Sequence, residues 1–331
     1  MAKTKVAIIG VGGMGRHHIR QMLKQNETTE IVAFCDISPE QYKTSAAIFS
    51  EAGLKPPPNQ PDLTRLLRDY SLDAAFIVTP HVNHFAQTQA CLEAGLDVLL
   101  EKPMVMNAAE ARALIDIRDR SGKLLVVAFP GSLSPQIRKA GQILHGGKAG
   151  KLISISATVW QNWGPGTQGT WRQVPEISGG GFLFDTGAHM LNTVVDLAGE
   201  EFTEVAAFLD NNQRPVETLG VVIGRLASGG LVSLHGCGEA IPSCNSTIMV
   251  FTSAAILRTG IWGEMLDMQK SGETKFRKVR IPAHLGVWEQ FLEVRAGRMA
   301  NPCPPEVGLR MARLYDAITA SAALNGQPVH C

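Results

Sequence analysis

Apolar residues gather in short, nearly continuous runs along the first third of the chain, at 5–10 (KVAIIG), 30–36 (EIVAFCD), 73–79 (DAAFIVT), 97–101 (DVLLE) and 123–129 (KLLVVAF). Strands buried on both faces read this way. The intervening stretches carry helix signals. Ser38, Pro39 and Gln41 resemble a capped start with proline at the first helical position, and Asn107 with Glu110 repeats the capping-box spacing. Gly95 and Gly122 stand where helices should stop. Strand and helix in alternation predict βαβ units and a parallel sheet. The PPP at 56–58 is a loop within this pattern, because the alternation resumes after it.

Beyond about residue 130 the pattern changes. A helix near 135–145 is followed by strands at 151–160, 204–209, 218–227, 231–238 and 246–253, with a hairpin through 270–273 and a tight turn at Ser228, Gly229 and Gly230. Helices are expected near 185–198, 285–297 and 306–324. The succession of strands predicts a second domain on a large, largely antiparallel sheet.

Composition narrows the function classes. At 331 residues two domains are the natural expectation. With 18% charged residues and a formal net charge of +1, the chain has no field to hold a polyanion, so neither nucleic acid nor a membrane is expected as partner. The six cysteines form no CxxC pair and no Cys/His cluster with metal-ligand spacing, and no metal is expected. The apolar run near the N-terminus breaks into glycines too early for a signal peptide, and no later run reaches membrane-spanning length, so the expected location is the cytoplasm.

Candidate chemistry begins at the first strand end. Gly10 to Gly15 (GVGGMG) supplies G-x-G-x-x-G between a strand and a helix. In that context Gly10 allows a sharp turn, Gly12 lets the backbone approach a pyrophosphate and Gly15 permits close helix–strand packing. Asp36 ends the next strand, 21 positions after Gly15, where an acidic side chain meets ribose hydroxyls; a carboxylate there favours NAD over NADP. The competing reading is that Asp36 caps the loop beside Ser38. Lys102 follows the strand at 97–101, which puts it at the carboxyl edge of the parallel sheet, within reach of a reacting hydroxyl. Asp185 and His189 in GGGFLFDTGAHM are four apart, one above the other on a helical face, where a carboxylate could orient an imidazole. Asn192 and Asp196 extend that polar stripe.

Taken in order, these segments resemble the glucose-fructose oxidoreductase/inositol dehydrogenase (Gfo/Idh/MocA) family. They are Gly10 to Gly15, TPHVNH from Thr79 to His84, Glu101 to Pro103, Trp171 with Arg172, Gly179 to His189, and WEQFLEVRAG near 288–297. The resemblance implies an α/β chain: an N-terminal Rossmann domain with a doubly wound parallel sheet, then an α+β C-terminal domain with a large open, mainly antiparallel sheet. The expected boundaries are 1–128 and 129–331, with the last helix, about 306–324, free to pack back on the first domain. It also implies a cofactor across the junction and a homodimer or homotetramer built through the second sheet.

By the same resemblance Lys102 polarises the reacting hydroxyl, His189 is general acid/base and Asp185 supports it. NAD would be held by Gly10, Gly12, Gly13, Met14, Gly15, Asp36, Ile37, Thr79, Pro80, His84, Glu101 and Lys102. A polyol, cyclitol, sugar or sugar derivative would meet Lys102, Asn162, Trp171, Arg172, Asp185 and His189. Trp160, Trp163 and Trp171 could offer flat faces to a sugar or fill the core, and Gln161 adds a hydrogen-bonding group. Two departures bear on substrate recognition: 126–135 lacks the family's N-x-R-F, and Asn192 replaces a common aspartate. The expected activity is hydride transfer between a secondary hydroxyl and nicotinamide. The alternatives are a glycosidase-like enzyme with transient redox of its NAD, and a non-catalytic NAD(H)-binding regulatory protein.

Overall fold

The computed structural model describes residues 3–147, 149–281 and 283–331. Its chain divides into two compact units. The first takes the residues up to 105, 109–128 and 285–306, and the second takes 106–108, 129–284 and 307–331.

The first unit is built on β1 (Thr4–Ile9), β2 (Thr29–Cys35), β3 (Ala74–Ile77), β4 (Asp97–Glu101) and β5 (Leu125–Ala128), in the order β2-β1-β3-β4-β5 with every pair parallel. Helices Gly13–Met22, Pro39–Glu51, His84–Glu93 and Ala108–Ser121 lie between them in the chain. From Ala74 to Ile77 the side chains are 0% exposed, which is why the sequence there reads as an unbroken apolar run. Successive connections leave β1 on one side toward β2 and on the other toward β3, the switch that opens a crevice at the carboxyl ends of such strands. The PPP loop has a second task. Phe34 N–H donates to Pro58 O and Gln60 N–H to Phe34 O, both at 2.9 Å, so a proline-rich segment covers the outer edge of β2. Helix Val287–Arg295 completes this core: Trp288 stacks on Phe76 with ring centroids 6.3 Å apart, and its indole N–H donates to Thr29 Oγ1 at 2.8 Å.

The second unit carries β6 (Leu152–Asn162), β7 (Phe202–Asp210), β8 (Leu219–Leu226), β9 (Leu231–Cys237), β10 (Glu239–Thr252), β11 (Ala255–Thr259), β12 (Leu266–Lys270), β13 (Arg277–Lys278) and β14 (Val329–His330). They form one nine-stranded sheet, β13-β12-β11-β10-β6-β9-β8-β7-β14, antiparallel except for β6 beside β9. Neither β11 nor β14 was expected from the apolar pattern. Burial alternates along β9, as in a sheet with one covered face. Phe182 packs over Gly236 and Gly238, and a Cβ on Gly238 would crowd its ring. On other strand positions Ile153, Phe208, Val221, Ile223 and Leu231 are more than half exposed.

The helix expected at 185–198 is two pieces, Phe182–Asp185 and Gly187–Ala198. Thr186 keeps helical dihedrals, but His189 N–H bonds to Thr186 O, three residues back, so the ladder tightens between Asp185 and His189.

Candidate active site

At the end of β1 each glycine meets a distinct demand. Gly10 has φ +87°, and a Cβ there would lie 2.7 Å from Val78 O; a Cβ on Gly15 would lie 2.5 Å from Gly10 O. Gly12 and Gly13, by contrast, have nothing within 4 Å of where a Cβ would stand. Two glycines are thus required by packing and two leave the start of helix Gly13–Met22 bare, with its first amides available to an anion. Met14 is 47% and Ile37 89% exposed, apolar side chains left at the surface beside this turn and after β2.

Asp36 does two things at once. Its Oδ2 accepts from Val11 N–H and its Oδ1 from Ser38 N–H, both at 2.8 Å, so it caps the loop while tying it to the glycine turn. A carboxylate offers about four acceptor sites, and each oxygen keeps one for a ribose hydroxyl. These residues fit a dinucleotide.

The turn after β4 is held from behind. Glu101 is 9% exposed; its Oε1 lies 2.6 Å from His18 Nε2, and its Oε2 accepts from Lys102 N–H at 3.1 Å. Burial alone would raise the Glu101 carboxyl, but the His18 bond and the charges of His18 and Lys102 bring it below the usual carboxylate range. His84 is 0% exposed, with Nδ1 2.8 Å from Pro103 O and Nε2 2.9 Å from Thr79 O. Burial lowers its pKa against the pull of those two carbonyls. The two side chains expected to line a cofactor therefore face inward: His84 ties the Thr79 turn to the Lys102–Pro103 turn, and Glu101 ties the latter to His18 on helix Gly13–Met22. His18 was not singled out from the sequence. Its one available signal is its place three residues after Gly15, on the buried side of the helix.

In the second unit Asp185 Oδ2 accepts from Trp163 Nε1 at 2.9 Å and from Arg172 Nε at 3.0 Å. Trp163 is 2% exposed, so its indole fills core and aims this carboxylate instead of offering a sugar platform. The Arg172 guanidinium lies 4.5 Å over the Trp171 ring. Thr186 Oγ1 donates to Gln161 Oε1 at 2.8 Å, and Asn162 ends β6 close by in sequence. His189 is 8% exposed and has aromatic neighbours, edge-on to Phe129 and tilted against Trp262.

The far half of the polar stripe goes elsewhere. Asn192 Nδ2 donates to Ser132 Oγ at 2.7 Å, Ser132 Oγ–H donates to Asp196 Oδ2 at 2.5 Å, and Arg310 pairs with Asp196. The two departures from the family pattern thus meet in one internal network, with Asn192 1% and Ser132 4% exposed.

A parallel sheet with a dinucleotide turn, a lysine just after β4, and Asp185 and His189 on a second unit define a two-unit dinucleotide-binding oxidoreductase fold. Residues 4–129 match the oxidoreductase family with an NAD-binding Rossmann fold, and residues 137–258 match the GFO/IDH/MocA C-terminal domain. The chain belongs to the GFO/IDH/MocA family. Among its relatives, D-glucoside 3-dehydrogenase of Escherichia coli is 28% identical over 59% of this chain and 54% of its own. Inositol 2-dehydrogenase/D-chiro-inositol 3-dehydrogenase of Lactiplantibacillus plantarum is 22% identical over 65% and 58%. The chain spans about half the length of the curated relatives it matches. The fold is that of an oxidoreductase domain protein from Kribbella flavida (TM-score 0.86, 21% identity, 100% of this chain and 99% of that one). It is equally that of the WlbA dehydrogenase of Bordetella pertussis in complex with NADH and UDP-GlcNAcA (TM-score 0.85, 19% identity, 100% and 99%).

Proposed function

We propose that the protein is an NAD-dependent dehydrogenase or reductase acting on a secondary hydroxyl of a polyol, cyclitol, sugar or sugar derivative. The observation that carries this reading is the bare turn at Gly12 and Gly13 beside an Asp36 that keeps acceptor sites free, in a chain that also holds Lys102, Asp185 and His189. Two relatives whose names specify glucoside and inositol oxidation support the substrate class.

Gly12, Gly13 and Met14 would present amides to the pyrophosphate, with Asp36 and Ile37 at the adenosine end. The bound nicotinamide supplies the hydride acceptor or donor. The Lys102 ammonium donates a hydrogen bond to the hydroxyl oxygen and stabilises negative charge as it develops there. His189 takes the hydroxyl proton in the oxidative direction and returns it in the reductive one. Asp185, fixed by Trp163 and Arg172, keeps the segment entering the His189 helix in place. Glu101 and His84 act one step back, by holding the turns that carry Lys102 and Thr79. The exposed apolar residues Phe208, Val221 and Ile223 support assembly of a homodimer or homotetramer through the second sheet.

The test is NADH formation from NAD with a panel of cyclitols, sugars and glycosides. Lys102→Ala and His189→Ala should each lower kcat by about 10²–10⁴-fold. Unchanged turnover in either variant would sink the assignment. Glycoside cleavage without net NADH would point to a transient-redox glycosidase, and NADH binding without any turnover to a regulatory protein. NADP binding as tightly as NAD would remove the role given to Asp36.

A further inference from the structure

The triple glycine before Asp185 is wedged between two side chains from distant parts of the same unit. A Cβ on Gly180 would overlap the Tyr315 hydroxyl, and a Cβ on Gly181 would overlap the Glu217 carbonyl oxygen. Gly179, at φ +75°, has Met106 and Phe184 where its own Cβ would stand. The run is therefore a place where two other residues come against bare backbone.

Glu217, just before β8, grips the turn twice. Its main-chain carbonyl accepts from Phe182 N–H at 2.8 Å, and its carboxylate Oε2 accepts from Gly181 N–H at 2.6 Å. Gly181 is the cap residue of helix Phe182–Asp185 and has no side chain to cap with; Glu217 instead takes up the N–H of Gly181 itself and that of Phe182, the first helical residue. Tyr315, on helix Pro305–Ala323 and 4% exposed, donates its hydroxyl to Glu217 Oε1 at 3.0 Å and packs its ring 4.6 Å from that of Phe184. One helical turn later comes Asp185, whose own N–H bonds to Gly181 O at 2.9 Å.

We propose that Glu217 and Tyr315 are positioning residues. They fix the glycine turn, and through it the placement of Asp185 and His189. The proposal rests on the hydride-transfer reading above for its activity readout, and on the bonds just described for its structural one. Misplacement of a reacting group by an ångström can cost on the order of 10²-fold in rate. The glycine turn is joined directly to Asp185, so its looseness is passed to the catalytic pair.

A graded series tests this. Glu217→Ala removes every bond the side chain makes, Tyr315→Phe removes one, and Glu217→Gln keeps those to Gly181 and Tyr315, since its amide oxygen accepts from Gly181 while its NH2 donates to the Tyr315 oxygen. Expected values for kcat are a loss of about 10–100-fold for Glu217→Ala, a smaller loss for Tyr315→Phe and near-complete rescue in Glu217→Gln, with NADH affinity unchanged throughout. Hydrogen exchange read at the amides of Gly181 and Phe182 should quicken in the same order. Wild-type kcat in folded Glu217→Ala and Tyr315→Phe, or a glutamine variant as damaged as the alanine, overturns the proposal. If the wild-type enzyme turns over nothing, the functional reading has failed, and exchange at Gly181 still decides whether the clasp exists. Should Glu217→Ala not fold, Tyr315→Phe and Glu217→Gln carry the test alone.

Discussion

Glu101 and Glu217 stand behind comparable turns in the two units: each bonds a backbone N–H of a turn that leads to a candidate catalytic residue, Lys102 in one and Asp185 in the other. Their surroundings differ in charge. Glu101 faces the His18 imidazole and lies beside the Lys102 ammonium, and it is held below the usual carboxylate range. Glu217 faces a phenol and backbone amides, all neutral donors. Burial pushes it up, against the bonds from Tyr315 and Gly181. The same device is backed by an imidazole and a neighbouring ammonium in the first unit and by neutral donors in the second. A carboxyl group can thus hold a loop with or without a cationic partner, and the partner's chemistry decides which way its pKa moves.

The largest expected effect breaks the comparison on the ionic side. Glu101→Ala leaves His18 Nε2 and Lys102 N–H facing an empty space in a region 9% exposed or less at Glu101 and His18. Breaking a buried pair in this way costs about 3–5 kcal/mol. Thermal or chemical denaturation should show that loss, and turnover should fall further than the loss of folded protein explains, because Lys102 loses its backing. An unfolding curve matching the wild type would show that the His18–Glu101 contact contributes little.

Acid and base titration of stability sharpens the contrast, with smaller effects of opposite sign. Because the folded pKa of Glu101 is depressed, its contribution is present above the ordinary carboxylate value of 4.5 and is lost as pH falls through the lower folded value. Glu217 is raised, so its contribution is complete below 4.5 and declines as pH rises through its higher folded value. Melting temperature measured against pH should therefore lose part of its acid-side fall in Glu101→Gln. In Glu217→Gln it should gain on the wild type as pH rises. Parallel wild-type and variant profiles in either case would contradict the assigned direction.

What the sequence disclosed follows the same division. The strands of the first unit are buried on both faces, so each writes itself as a continuous apolar run, and the glycine turn serves contacts made within the turn or to the neighbouring strand end. A run of three glycines signals a close approach of backbone to something. What approaches it is not legible, because Glu217 and Tyr315 lie 36 residues and more than a hundred away in the chain and neither carries a local pattern. Strand β14 is two residues long and is defined only by its pairing with β7. The assignment of 285–306 to the first unit likewise depends on Trp288 meeting Phe76, a contact that helical periodicity does not announce. The i, i+4 spacing of Asp185 and His189 suggested one face of one helix. Which of Trp163, Arg172, Ser132 and Arg310 each half of the stripe would meet depended on strands and loops far off in sequence.

A third carboxylate supplies the control for the comparison. Asp196 is half-buried and bonded by Arg310, Ser132 and Asn192, yet among the described residues it grips no backbone N–H of a turn leading to a candidate catalytic residue. If hydrogen-bonded carboxylates matter for rate only where they hold such a turn, loosening this one should affect stability alone. Ser132→Ala removes the hydroxyl that donates to Asp196 and accepts from Asn192. It should cost about 1–2 kcal/mol in unfolding free energy, the smallest effect in this set. The kcat of the folded enzyme should stay within about twofold of wild type, a barrier change of under roughly 0.5 kcal/mol. A tenfold fall in kcat at unchanged NADH affinity would mean that the rear half of the stripe also tunes His189. The separation between structural and positioning carboxylates would then have to be redrawn along the whole Gly187–Ala198 helix.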